Sequence, residues 1–167
     1  MPTGAHLAMA STPPPADDVL LELGRLVWAA LNLEDVVYAV CRTITPRGPF
    51  DDAPISGRIA DALKTLRARP ADTLRDQADT WLEAATTALE ARNAVLHSTP
   101  GTFYPVPPAE PMPDAADQWL VHFPRDRTRP PVHTPLTAEG LGRTRHQLEQ
   151  ARDGWVELAV QLFECGQ

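Results

Sequence analysis

A chain of 167 residues, 43% hydrophobic and 22% charged, can enclose one real core but is short for two ordinary domains. Its net charge of -7 argues against holding nucleic acid by bulk phosphate attraction and leaves room only for a small local site. No run approaches the roughly eighteen apolar residues of a membrane span. The two cysteines, Cys41 and Cys165, fit neither a disulfide framework nor a zinc spacing, a usage that suits a reducing cytoplasm.

Residues 1–15 contain no basic start followed by an apolar core, so they read as a disordered tail and not as a signal peptide. Residues 16–164 then form a single domain. The prolines cluster at Pro13 to Pro15 and between Pro100 and Pro135. That leaves Asp17 to Thr45 and Ala71 to His97 free to be long helices, because proline cannot continue the hydrogen-bond ladder. The first helix runs from Ala16 to about Thr45, with Asp17 and Asp18 at the positive end of its dipole. Its apolar set is broad: Leu20, Leu23, Val27, Ala30, Val37 and Cys41 in one row, and Leu26, Leu33, Val36 and Val40 in a second, which demands neighbours on two sides. Thr45 to Pro49 stops it.

Pro54 and Ser56 open a shorter helix, one-faced through Ile59, Leu63 and Leu66 and ending near Arg69 and Pro70. A third helix follows to His97, with Leu74, Ala78, Trp81, Ala85, Ala88 and Val95 in one row and Leu82, Leu89 and Leu96 alongside. Residues 98–135 form a proline-rich insertion, partly extended. Within it Trp119 to Phe123 alternates weakly and is a candidate hairpin strand, with Arg129 to Thr134 as partner. Thr137, an N-cap with Glu139 behind it, opens the last helix, whose Leu141, Leu148, Ala151, Trp155, Leu158 and Leu162 face inward. Trp28, Trp81 and Trp155 fall at core spacing. The whole is an all-α, antiparallel four-helix bundle.

Polar residues at apolar positions are the informative ones, because an unpaired buried charge costs several kcal/mol. Arg92 lies four residues after Ala88 and three before Val95, inside the apolar row of the third helix, and it needs an anion. Glu34, four after Ala30 and three before Val37, is the corresponding anomaly in the first helix. The economical expectation is an ion pair between them across the two helices, which by itself implies no chemistry. Asn93 continues the row of Leu82 and Leu89. His97 follows Asn93 by four residues, at a helix end whose free carbonyls suit a cation.

The segment Glu90-Ala91-Arg92-Asn93-Ala94-Val95-Leu96-His97 resembles the signature of HEPN (higher eukaryotes and prokaryotes nucleotide-binding) domains, an arginine followed after about four to six residues by a histidine. The polar Asn93, the position late in a long helix and the acidic residue within Leu31-Asn32-Leu33-Glu34 are similar to the family as well. The resemblance covers about Asp17 to Gln161, departing from a minimal bundle in the insertion. It implies a metal-independent endoribonuclease of toxin or defence type, without cofactor, that leaves 2′,3′-cyclic phosphate and 5′-hydroxyl ends. Arg92, His97 and Asn93 are its expected catalytic residues, with Glu34 in support. It also implies a homodimer whose two motifs meet in one cleft, an RNA substrate, and a nucleotidyltransferase-like antitoxin as a possible partner. The rival expectation is a non-catalytic helical module that binds a partner protein or nucleotide through the same notch.

Neither of two other groupings argues for a site. His122, His133 and His146 have no ligand spacing, and no Glu-x-x-His pairs face one another for a metal. The basic residues Arg125, Arg127 and Arg129, with Arg143 and Arg145, read as a solvated surface.

Overall fold

The computed structural model describes residues 15–46, 53–101, 119–122 and 132–164. Four helices dominate: α1 (Asp17–Ile44), α2 (Ile55–Arg67), α3 (Thr73–Leu96) and α4 (Ala138–Glu164). Asp17 and Asp18 occupy the first turn of α1, which ends at Ile44 just before Pro46. Helix α3 is capped by Asp72, whose carboxylate accepts the Arg75 backbone N–H at 2.7 Å. Thr137 caps α4 by accepting the Gly140 N–H at 3.0 Å. Both caps satisfy donors that a helix start leaves open.

One core joins the four helices. Leu26, Leu33, Val37 and Val40 of α1, Leu82 of α3 and Leu148 of α4 are fully buried, each burial stabilising by about 1.5–3 kcal/mol. Helix α2 adds Ile59, Ala62 and Leu66. Helix α4 packs against both α1 and α3, and α2 bridges the same two on its own side. Trp81 links α3 to α4 with an indole N–H donated to the Ala151 carbonyl at 2.7 Å, and its ring lies 5.2 Å from that of Trp155. Arg145 of α4 binds Glu22 of α1 at 3.0 Å and Glu149 on its own helix. It is therefore a cross-link between helices and not merely solvated surface. Arg67 near the end of α2 binds Asp79 and Glu83 of α3, so the short link leaves these helices side by side.

Between α3 and α4 three short strands, β1 (Thr99–Gly101), β2 (Trp119–His122) and β3 (Val132–Pro135), form an antiparallel sheet in the order β1-β2-β3. Val121 sits opposite Thr99 on one side and His133 on the other. The β2–β3 pairing is the hairpin that the alternation at Trp119 suggests, with its second strand ending at Pro135 instead of Thr134. Strand β1 was not expected. The N-terminal tail, the basic residues Arg125 to Arg129, Cys165 and residues 102–118 of the insertion lie outside the described residues.

One expectation about the core is corrected. Trp28 is 69% exposed and Leu20 45% exposed, because α1 turns Val19, Leu26, Ala29, Ala30, Leu33, Val37, Val40, Cys41 and Ile44 inward and leaves its opposite side uncovered. Among the described residues no helix is long and apolar enough to cross a membrane.

Candidate functional site

Helix α3 is buried along one side from Ala78 to Leu89, after which every residue from Ala91 to Val95 is half-buried and Leu96 and His97 are exposed. The last turn and a half therefore emerges from the core, which is where the polar residues begin. Arg92 sends its guanidinium back to α1, where Nη2 donates to Oε1 of Glu34. The two side chains are 14% and 29% exposed, so the pair sits at the rim of the core, with little water on the arginine. Arg92 Nε is buried without a hydrogen-bond partner among the described residues. Burial pushes the guanidinium below its ordinary value, but arginine remains a cation at neutral pH.

The expected ion pair is formed, while the expected four-residue site is only partly assembled. His97 terminates α3: its backbone N–H donates to the Asn93 carbonyl at 2.9 Å, its conformation has left the helix (φ -100°, ψ 9°), and its side chain is exposed. No hydrogen bond joins the His97 or Asn93 side chain to Arg92 or Glu34 among the described residues. Five residues of a helix separate Arg92 and His97, about 140° around the axis, so they leave α3 in different directions. The chain end beside them is tied by Ser98, whose hydroxyl donates to the Ala94 carbonyl; Thr99 then enters β1 directly.

The arrangement offers a guanidinium fixed by a carboxylate and, leaving the helix in another direction, an exposed imidazole. Three concavities lie elsewhere. The largest of them, about 570 Å3, lies between α3 and α4 around Thr80, Trp81 and Leu158, a second is next to it, and the third is between α1 and α4. None is lined by Arg92, Asn93 or His97. Among the described residues no group of three or more His, Cys, Asp or Glu side chains is placed to hold a metal ion.

Arg58 escaped the sequence reading. It is 6% exposed, donates from Nε to the Ala53 carbonyl at 3.1 Å and lies 4.1 Å above the Tyr38 ring centroid, a cation–π contact that ties α2 to α1. The signal was present: Arg58 falls three residues after Ile55 and four before Ala62, the same break in an apolar row that marks Glu34 and Arg92. Comparison with family models, with curated proteins and with solved structures finds no match for this chain.

Proposed function

We propose that the chain is a HEPN-type, metal-independent endoribonuclease, acting as a homodimer in which two Arg92-x4-His97 motifs share one cleft. One observation carries this reading: Arg92, late in α3, is desolvated and pinned by Glu34 of α1, five residues before an exposed histidine that ends the helix. An imidazole is the side chain that exchanges protons most readily near neutral pH.

In the proposed reaction His97 takes the proton of a ribose 2′-hydroxyl, whose oxygen attacks the adjacent phosphorus. The 5′-oxygen leaves and receives a proton from the imidazolium of the second copy, giving a 2′,3′-cyclic phosphate and a 5′-hydroxyl. Arg92 holds the phosphate and stabilises charge on the pentavalent transition state, Asn93 orients the phosphate or the imidazole, and Glu34 is a positioning residue for Arg92. A role in toxicity or defence, under control of an antitoxin-like partner, belongs to this reading.

The test is cleavage of a mixed RNA pool by purified protein in excess chelator, with end-group analysis. Wild type is expected to cut, and Arg92→Ala and His97→Ala to lose at least about a hundredfold while remaining helical, as expected for loss of a charge-stabilising or proton-transferring group. Wild type that cuts no RNA removes the enzyme. A second reading, a non-catalytic module binding a partner protein or nucleotide, is favoured by a specific observation: within one chain Arg92 is already neutralised by Glu34, and none of the three concavities described above is lined by Arg92 or His97.

A further inference from the structure

The side of α1 turned away from the core carries a row of exposed apolar residues. Leu21, Trp28, Leu31 and Tyr38 are 55%, 69%, 50% and 36% exposed, the Tyr38 ring being covered on one face by Arg58. With Gly24 and Asp35 they occupy positions 21, 24, 28, 31, 35 and 38, alternating steps of three and four, the spacing with which one helix seats against another. Single exposed apolar residues need no explanation, but a row extending about 25 Å along one helix does. Beside it lies the groove between α1 and α4, with Leu21 and Trp28 on one bank and Arg145 and Glu149 on the other.

We propose that this row is the contact surface for a second copy of the chain, α1 against α1, antiparallel, about a two-fold axis between Trp28 and Leu31. The row reads the same in both directions: Leu21 meets Tyr38 of the other copy, Gly24 meets Asp35, and Trp28 meets Leu31. Charge selects the direction. Antiparallel pairing sets Asp17 opposite Arg42 at both ends and places Asp35 next to Arg25, which also binds Glu22 of its own chain at 2.7 Å, whereas parallel pairing sets Asp17, Asp35 and Arg42 each against its own like charge. Asp17, Asp35 and Arg42 are exposed and form no ion pair among the described residues, so these charges are available to a partner. Gly24 fits the same picture. A Cβ there would meet nothing within 4 Å and no glycine has a positive φ among the described residues, so the chain's own fold does not require glycine in mid-helix, where it costs stability. A close-packed partner helix does.

This pairing rests on the row and its charges, independently of the ribonuclease reading, and has a consequence for it. Glu34 lies about a quarter turn to one side of the row at 100° per residue. An antiparallel two-fold keeps like flanks together, so both Glu34–Arg92 pairs come to the same side of the dimer, roughly 13 Å apart along the helices.

Analytical ultracentrifugation of the full chain tests it. Wild type is expected at twice 18.3 kDa. Trp28→Glu and Leu31→Arg, both at exposed positions, are each expected to weaken association by about a hundredfold or more while far-UV circular dichroism stays helical. Asp35→Arg is expected to weaken it about tenfold and Arg25→Asp/Asp35→Arg to restore it. A wild-type monomer at high micromolar concentration overturns the proposal, including one in which residues 1–14 prove to shield the row from proteolysis or dye. A dimer indifferent to Trp28→Glu and Leu31→Arg also overturns it while leaving RNA cleavage to be judged separately. Dissociation by both variants without restoration by the charge swap overturns the antiparallel register.

Discussion

Removing one member of the Glu34–Arg92 pair is expected to cost more than removing both. Breaking a fully buried pair costs about 3–5 kcal/mol, and a hydrogen bond to a charged group contributes about 1.5–3 kcal/mol. Glu34 keeps 29% of its surface exposed, so Glu34→Ala belongs below the fully buried range, at about 2–3 kcal/mol. It strands the guanidinium, the more deeply buried partner, whose Nε already lacks an acceptor among the described residues. Arg92→Met keeps the packing of the arginine stem and strands the wetter carboxylate, at about 1–2 kcal/mol. Glu34→Leu/Arg92→Met removes both desolvated charges and is expected within about 1 kcal/mol of wild type. Urea unfolding followed by circular dichroism, at one protein concentration, reads the difference as a midpoint drop of roughly 1 M for Glu34→Ala. Two single variants that each lose less than about 0.5 kcal/mol, or a double variant that loses the sum of the singles, would refute the claim that the charges depend on one another.

Three further substitutions probe the scaffold. Trp81→Phe removes the buried N–H donated to the Ala151 carbonyl and part of the ring, and should lower stability by about 1–2 kcal/mol in thermal unfolding; an unchanged melting temperature would discount that bond. Asp72→Ala removes the cap of α3 and should cost about 1 kcal/mol, with Asp72→Asn close to wild type; equal losses in the two would show that charge, not capping, matters. Glu22 is held below its ordinary value of 4.5 by its hydrogen bonds to Arg25 and then Arg145. Its carboxylate therefore contributes stability above pH 4.5 that is lost as pH falls through its lowered folded value. The gap in melting temperature between wild type and Glu22→Gln should be present at pH 7 and close in that acid window, and a gap that persists at pH 2 would contradict the assignment.

The helices were legible because two signals agreed. Proline-free stretches and a 3.6-residue apolar period pick out α1, α3 and α4, and Thr137 marks the start of α4 through its cap. What periodicity cannot tell is which apolar row faces the chain's own core. Helix α1 is apolar over most of its circumference, so Trp28 and Leu20 read as core by the same rule that correctly buries Leu33 and Val37. Strand β1 was hidden for a different reason. Thr99-Pro100-Gly101 carries two residues that disfavour strands, yet at the edge of the sheet Pro100 need not donate to the ladder. At the site, Glu34 and Arg92 could be matched because each interrupts an apolar row and their charges are opposite. His97 could be placed at a helix end but not oriented, since an exposed side chain has no packing constraint for the sequence to express. Arg58 was overlooked because its short helix left fewer apolar neighbours to reveal the break.

The Glu34–Arg92 pair also sets what an RNA phosphate would encounter. A guanidinium carries five N–H donors; the pair engages Nη2 and Nε is buried, so only the remaining Nη donors are left for a phosphate, with Glu34 opposing it at close range. Glu34→Gln keeps an acceptor for Arg92 and removes the opposing charge. If Arg92 binds phosphate, the substitution should therefore lower KM, and kcat should fall if the carboxylate fixes the angle at which Arg92 meets the transition state. A structural pair predicts neither change, only the loss of stability. Steady-state kinetics on a short RNA, with unfolding measured in parallel, separates the two: a variant less stable than wild type but identical in KM and kcat would place the pair in the scaffold and leave the chemistry to other groups.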